Sequence, residues 1–170
     1  MQLQLPAQYV SHPKNRIPAY KDEINNLKSI IEIINTGILF THGDVGKLNS
    51  RPMMTVRIEQ NANLWFFTNE FSRNVSEICQ NNEVLINYAV PGKNAYAVVK
   101  GRAYLTREIN KINELYVPVL KTWFPAGVND PSLLLLRVEP TEIQCWQANP
   151  DKVESSKKMS SMFFLDELHS

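Results

Sequence analysis

A chain of 170 residues with 44% hydrophobic content can bury one substantial core and is too short for two comfortable domains. Eighteen basic side chains against seventeen acidic ones leave a formal charge of +1, which excludes broad attraction to nucleic acid or an anionic membrane, so any anion site must be local. Two cysteines without a C-x-x-C pair, and His12, His42 and His169 without ligand spacing, exclude a metal site.

No apolar run approaches about 18 residues, so no membrane span is read. The first residues lack a basic segment followed by an apolar stretch, so no secretion signal is read either. Cys79 and Cys145 sit in apolar pattern and read as reduced, buried thiols, which fits a cytoplasmic location.

Residues 1–20 carry Pro6, Pro13 and Pro18 without a sustained period and read as an extended N-terminal arm. The main domain is expected over residues 21–150. It opens with Ile24, Leu27, Ile30, Ile31 and Ile34 at helical spacing, stopped by Asn35-Thr36-Gly37. Strands are predicted at about 37–42, 51–58 and 63–68, with Asn61-Ala62-Asn63 as the turn between the last two. A short helix follows Ser72, with Val75, Ile78 and Cys79 as its apolar edge.

Two more strands, at about 84–90 and 95–106, flank the turn Pro91-Gly92-Lys93-Asn94. In the second, Ala95, Ala97, Val99, Gly101, Ala103 and Leu105 share one face. Gly101 there reads as close packing of strands. A helix through Ile109, Ile112, Leu115, Tyr116, Val119 and Leu120 is predicted, kinked at Pro118. A long last strand, about 132–147, runs through Leu133-Leu134-Leu135-Leu136-Arg137-Val138. Six short strands with few helices favour a mainly β fold with flanking helices, a six-stranded antiparallel barrel, over βαβ units. Residues 151–170 read as a C-terminal tail: a hinge at Ser155-Ser156-Lys157-Lys158, then Met159, Met162, Phe163, Phe164, Leu165 and Leu168 as a short amphipathic helix. That helix is expected to dock on the fold or a partner copy, with a lid over the site as the sharper alternative.

The segment richest in chemistry begins at Arg51. By alternation, Arg51, Met53, Thr55 and Arg57 share one face of their strand, opposite Pro52, Met54, Val56 and Ile58. Arg51 thus points away from the apolar row. Leu64-Trp65-Phe66-Phe67-Thr68 follows as an aromatic strand, and Ser72-Arg73 stands at a helix start, where free N–H groups and a partial positive charge suit a phosphate. Together these features suggest a phosphorylated cofactor with a planar ring.

In this order and spacing, Ser50-Arg51-Pro52-Met53, Leu64-Trp65-Phe66-Phe67-Thr68, Ser72-Arg73, Gly101-Arg102-Ala103 and the run Trp123-Phe124-Pro125-Ala126-Gly127-Val128-Asn129-Asp130-Pro131 resemble the FMN-binding split-barrel family of pyridoxamine-phosphate oxidase, in particular its general-stress-protein branch. The resemblance spans roughly residues 24–147. It implies a split β-barrel that binds FMN at the interface of a homodimer. It further implies that Arg51, Ser72 and Arg73 hold the FMN phosphate, that Pro52, Met53 and Met54 lie along the isoalloxazine edge, and that Phe67 and Thr68 touch the ring. Trp123 reads first as a core anchor and second as a lid over flavin from the neighbouring chain. Asn74 and Val56 stand where the oxidase branch often carries Lys, which implies a looser hold on the phosphate.

No Ser/His/Asp or Cys/His set suggests a protein acid, base or nucleophile, so no catalytic residue is assigned. The function implied is an FMN-binding oxidoreductase passing electrons to or from an unidentified small molecule, with NADH or NADPH as a transient reductant. The alternative is a non-catalytic flavin-binding or redox-sensing protein. True pyridoxamine-phosphate oxidase activity is not expected, because the Arg/His-rich C-terminal substrate signature is absent.

Overall fold

The computed structural model describes residues 21–147 in full and residues 157–163 as backbone. The arm expected over residues 1–20 lies outside the described residues, as do Ser155, Ser156 and residues 164–170. Helix α1 (Lys21–Ile33) buries Ile24, Leu27, Ile30 and Ile31 along one stripe and places Asp22 and Glu23 in its first turn, where the helix dipole favours them. Then come β1 (Thr36–His42), β2 (Leu48–Ile58), β3 (Leu64–Asn69), α2 (Arg73–Gln80), β4 (Glu83–Val90), β5 (Ala95–Thr106), α3 (Ile109–Leu115), β6 (Leu133–Gln147) and β7 (Lys157–Phe163). No helix among the described residues is long and apolar enough to cross a membrane.

The strands run in the order β3-β2-β1-β4-β5-β6-β7, and β3 also pairs with β6, so β1 to β6 close into the expected six-stranded antiparallel barrel. The 15-residue β6 carries more than this closure. Its Leu133–Val138 half takes β3, and Glu142–Gln147 takes β7. Residues 157–163 are therefore a strand, in place of the hinge end and docking helix expected there. Ladder pairing with the long overhang of β6 satisfies their backbone groups, which outweighs a weak helical spacing.

Alternation along β5 holds as predicted. Ala95, Ala97, Val99, Gly101, Ala103 and Leu105 face inward, and the same barrel core contains Leu39, Met53, Phe66, Ile86 and Leu136 with the apolar stripe of α1. A Cβ on Gly101 would lie 2.4 Å from the Glu139 carbonyl oxygen, so this glycine marks close strand packing at a bulge. A second core lies outside the barrel wall. Trp65, Phe67, Leu133 and Leu135 pack there against Ile112 and Leu115 of α3, together with Leu120 and Phe124. Strands β3 and β6 are thus buried on both faces, which explains their unbroken apolar runs.

Two local expectations need correction. The helix read through Leu120 stops at Leu115, because Tyr116 and Val117 turn extended before Pro118, and a separate 3₁₀ turn covers Pro118–Thr122. A residue preceding proline is pushed out of the helical region, and proline has no N–H to donate. Strand β2 also departs from simple alternation. Met53 and Thr55 belong to the barrel interior, so Arg51 shares the core-facing side and emerges at its rim. Past a register shift between Thr55 and Arg57, Arg57 pairs with Trp65 and bonds Glu114 of α3 at 2.7 Å, while Ile58 packs against the barrel core. One extra residue at a bulge exchanges the two faces.

Candidate functional site

Helix α2 lies across one end of the barrel, and its sequence explains how. Val75 and Ile78 are fully buried as apolar anchors, while Asn74 and Glu77, also three apart, turn a polar edge toward the rim of β1 and β2. Glu77 is only 6% exposed, yet both of its oxygens are engaged. Oε2 accepts from the Thr41 hydroxyl at 2.6 Å, and Oε1 accepts from Asn49 Nδ2 at 2.6 Å and faces Arg73 Nε at 3.3 Å. Thr41 and Asn49 are cross-strand partners in the β1–β2 ladder, so the sheet itself fixes this carboxylate.

A second network starts at Asn74, which is 2% exposed. Its Oδ1 accepts from Arg51 Nη1 at 2.7 Å and from the Ser72 hydroxyl at 2.6 Å, and its Nδ2 donates to Thr68 Oγ1 at 3.3 Å. The Ser72 hydroxyl also reaches the Asn69 carbonyl at 2.5 Å, and Phe71 N donates to Asn69 Oδ1 at 2.9 Å. The turn from β3 into α2 is therefore built on its own side chains. Its other face is tied to the segment before β6. Glu70 N donates to the Ser132 carbonyl at 2.8 Å, Asn69 Nδ2 donates to Ser132 Oγ at 2.9 Å, and Arg107 pairs with Glu70. Asp130 Oδ1 accepts from Ser132 N and Oγ, which holds the Asp130 carboxyl below its ordinary range. Asp130-Pro131 is thus turn chemistry.

These networks border a cleft of about 740 Å³, within the usual size of a small-molecule site. Its polar end carries Thr41, Asn49, Arg51, Thr68, Asn74 and Glu77, with Arg73 beside them. Met53, Met54, Phe67, Leu120, Trp123 and Phe124 supply the apolar end. Of the site residues expected from sequence, Arg51, Pro52, Met53, Met54, Phe67, Thr68, Arg73 and Trp123 all line this one space. Ser72 does not, because its hydroxyl turns back to fix Asn74. Trp123 is 61% exposed at the cleft, so it is not the core anchor it first suggests; Phe124, the next residue, fills that role at 5% exposure. Phe66 lies wholly in the barrel core, whereas Phe67 meets Tyr116 edge-on at 6.0 Å and reaches the cleft.

Glu77, Thr41 and Asn49 are not evident as site residues in the sequence, and Asn74 stands out there only as a residue where the oxidase branch often carries Lys. The available signal was the i, i+3 placement of Asn74 and Glu77 directly after Ser72-Arg73, which an exposed helix face would equally produce. The donor set suits a phosphorylated planar molecule: two guanidinium groups and a helix start at one end, and thioether and aromatic surface at the other. The other shifted groups lie elsewhere. Burial pushes the Tyr88 phenol and the Cys79 thiol up. Under α3, burial pulls the Lys111 ammonium down, but hydrogen bonds to Glu59 and Glu114 outweigh this and raise it. Neither Cys79 nor Cys145 is in a disulfide, and no group of three His, Cys, Asp or Glu among the described residues is placed to hold a metal ion.

Three of the solved structures that share this barrel show the range of likeness. General stress protein 26 of Bacillus anthracis is 24% identical, with 72% of this chain and 92% of that one covered at a TM-score of 0.65. A general stress FMN/FAD binding protein of Xanthomonas citri is 22% identical, covering 82% and 97% at 0.63. A pyridoxamine 5′-phosphate oxidase-related, FMN binding protein of Nostoc punctiforme is 15% identical, covering 85% and 98% at 0.62. At these identities the likeness speaks for the fold. No curated protein matches the chain. The family described as pyridoxamine 5′-phosphate oxidase like matches residues 22–163, a span that holds the whole barrel, both networks and the cleft. With most of its length matched and the same barrel in its structural neighbours, the chain belongs to the pyridoxamine 5′-phosphate oxidase like family.

Proposed function

We propose that the cleft binds FMN and that the protein passes electrons through it to or from a small molecule. The observation that carries this reading is the convergence of Arg51 and Arg73 at one end of a space whose far end is apolar and aromatic. Arg51, oriented by Asn74, holds the phosphate with Arg73 and the free N–H groups of the first α2 turn. Met54 and Phe67 offer apolar surface to the ring, and the Thr68 hydroxyl and the backbone of Pro52–Met54 offer hydrogen bonds to its polar edge. Trp123 restricts water at the open side. Bound flavin supplies a ring nitrogen that exchanges hydride, so no protein acid or base is required. The names of the Xanthomonas citri and Nostoc punctiforme neighbours, as FMN/FAD and FMN binding proteins, support the choice of cofactor.

The working unit in this proposal is a homodimer. Trp123 and Val119 are exposed beside the cleft-lining Leu120 and Phe124, and Phe71 is exposed beside the Ser72-Arg73 turn. Apolar side chains at the lip of an open cleft suit a second copy that completes its wall. Thiols without disulfides fit a reducing compartment such as the cytoplasm.

One observation favours the non-catalytic alternative. Among the described residues Arg51 and Arg73 are the cations in the cleft lining, and the phosphate claims both, which leaves no further cation there to grip a nicotinamide nucleotide. Anaerobic addition of NADH or NADPH to FMN-loaded protein decides between the two. Rapid bleaching of the flavin band supports the oxidoreductase; persistent yellow colour leaves a flavin-binding or redox-sensing protein. A purified protein with no flavin absorbance and no affinity for added FMN would overturn both.

A further inference from the structure

The phosphate end of the cleft contains a carboxylate that nothing in a simple anion grip requires. Glu77 lines the cleft, is nearly buried, and stands 3.3 Å from Arg73 Nε. Thr41 and Asn49 hold it at 2.6 Å each, so it cannot swing away without leaving the buried Thr41 hydroxyl and the half-buried Asn49 amide unpaired. Arg51, by contrast, bonds the neutral Asn74 and keeps its full charge. Two cations and one fixed anion therefore give the grip a net charge of one, against the two negative charges of a phosphate monoester. A phosphate on the Arg73 guanidinium also lies close to the carboxylate already on that group.

Resting on the FMN reading above, we infer that Glu77 is an affinity-limiting residue that opposes the cofactor's phosphate, so that the protein holds FMN only modestly more tightly than riboflavin and releases it readily. The carboxylate acts on the phosphate alone. The apolar wall of Met54, Phe67 and Trp123 contributes equally to both flavins, because it meets only the ring. Like charges a few ångströms apart in a partly desolvated cleft weaken binding by on the order of tenfold or more.

Glu77→Gln tests this in the full-length protein. The amide keeps an oxygen to accept one of the two hydrogen bonds, and the Asn49 amide and Thr41 hydroxyl can both reorient. Affinities for FMN and riboflavin are measured by flavin fluorescence quenching at several salt concentrations, with a thermal melt as a folding control. The expected result is an FMN affinity raised about tenfold or more, a riboflavin affinity changed less than about twofold, and a steeper salt dependence for FMN alone. An FMN affinity that is unchanged or weaker overturns the inference while leaving the FMN reading intact, as do equal changes for both flavins, the sign of a merely structural carboxylate.

The unsubstituted protein supplies a second measurement should the variant not fold. An FMN-to-riboflavin affinity ratio below about tenfold supports the inference, and any larger ratio overturns it. Failure of the unsubstituted protein to bind either flavin overturns the reading of the site and this inference with it.

Discussion

Arg51 and Arg73 look equivalent in sequence, but their surroundings make them unequal. Arg51 bonds a neutral amide, whereas Arg73 shares its charge with Glu77. Arg51→Met is therefore expected to weaken FMN binding by roughly ten- to a hundredfold, the range for losing a charged hydrogen bond, with the melting temperature little changed. Arg73→Met removes a cation that is partly compensated, yet it leaves Glu77 facing the phosphate alone, so it is expected to cost at least as much. Fluorescence titration of both variants checks the pair. Within the barrel, Thr55 Oγ1 and Tyr88 Oη are 2.6 Å apart and both residues are buried. Tyr88→Phe strands the Thr55 hydroxyl without this partner and is expected to lower unfolding free energy by about 1–3 kcal/mol in a denaturant titration. The arginines were legible as candidates in sequence because Arg73 stands with Ser72 at a helix start and Arg51 lies in the alternating strand before the aromatic one. Glu77 and the buried, bridging role of Asn74 were not, because polar residues on a short amphipathic helix read as its wet face until a barrel rim is laid against them.

At the level of elements, period-two alternation located β5 to the residue because its inward face is wholly small or aliphatic. Alternation failed in β2, where the bulge near Val56 reverses the faces and no turn residue announces it. Apolar spacing also ran α3 too far: Val119 and Leu120 continue the pattern, but Val119 is exposed, and Pro118 breaks the backbone before them. The exposed Val119 stands beside the cleft-lining Leu120 and not in a core. The segment after this break ends in the Asp130–Ser132 turn, which carries its own pH dependence. Hydrogen bonds from the Ser132 side chain and backbone depress the Asp130 pKa below its ordinary 3.8. A depressed carboxylate stabilises the fold above that ordinary value, and its contribution fades as pH falls through the lowered one. Asp130→Ala is therefore expected to cost about 0.5–1 kcal/mol at neutral pH, kept small by solvent exposure, and the gap to the unsubstituted protein should close in acid well below that ordinary value. Parallel urea titrations at the two pH values measure it.

For the molecule as a whole, the cleft is open on the side where Trp123 and Val119 stand exposed, and Phe71 stands exposed beside the Ser72-Arg73 turn. These are large apolar side chains, and α1, the barrel and α3 leave none of them covered. Leu48, at the start of β2, is exposed as well. A monomer that keeps such groups in water forgoes their burial, worth about 1.5–3 kcal/mol for each side chain fully covered. A second copy placed against the lip would bury them and close the flavin space at once, which links assembly to cofactor binding. The protein is accordingly expected to sediment at twice its chain mass of 19.5 kDa. Val119→Glu and Phe71→Glu place charges on that surface without removing a core contact. Each is expected to shift the population toward monomer and to lower FMN affinity by about an order of magnitude, since burying an unpaired carboxylate costs several kcal/mol. Analytical ultracentrifugation and flavin titration on the same samples test the linkage. Monomers that bind FMN as tightly as the parent would show that one chain builds the whole site, and a parent that is itself monomeric would remove the dimer from the proposal.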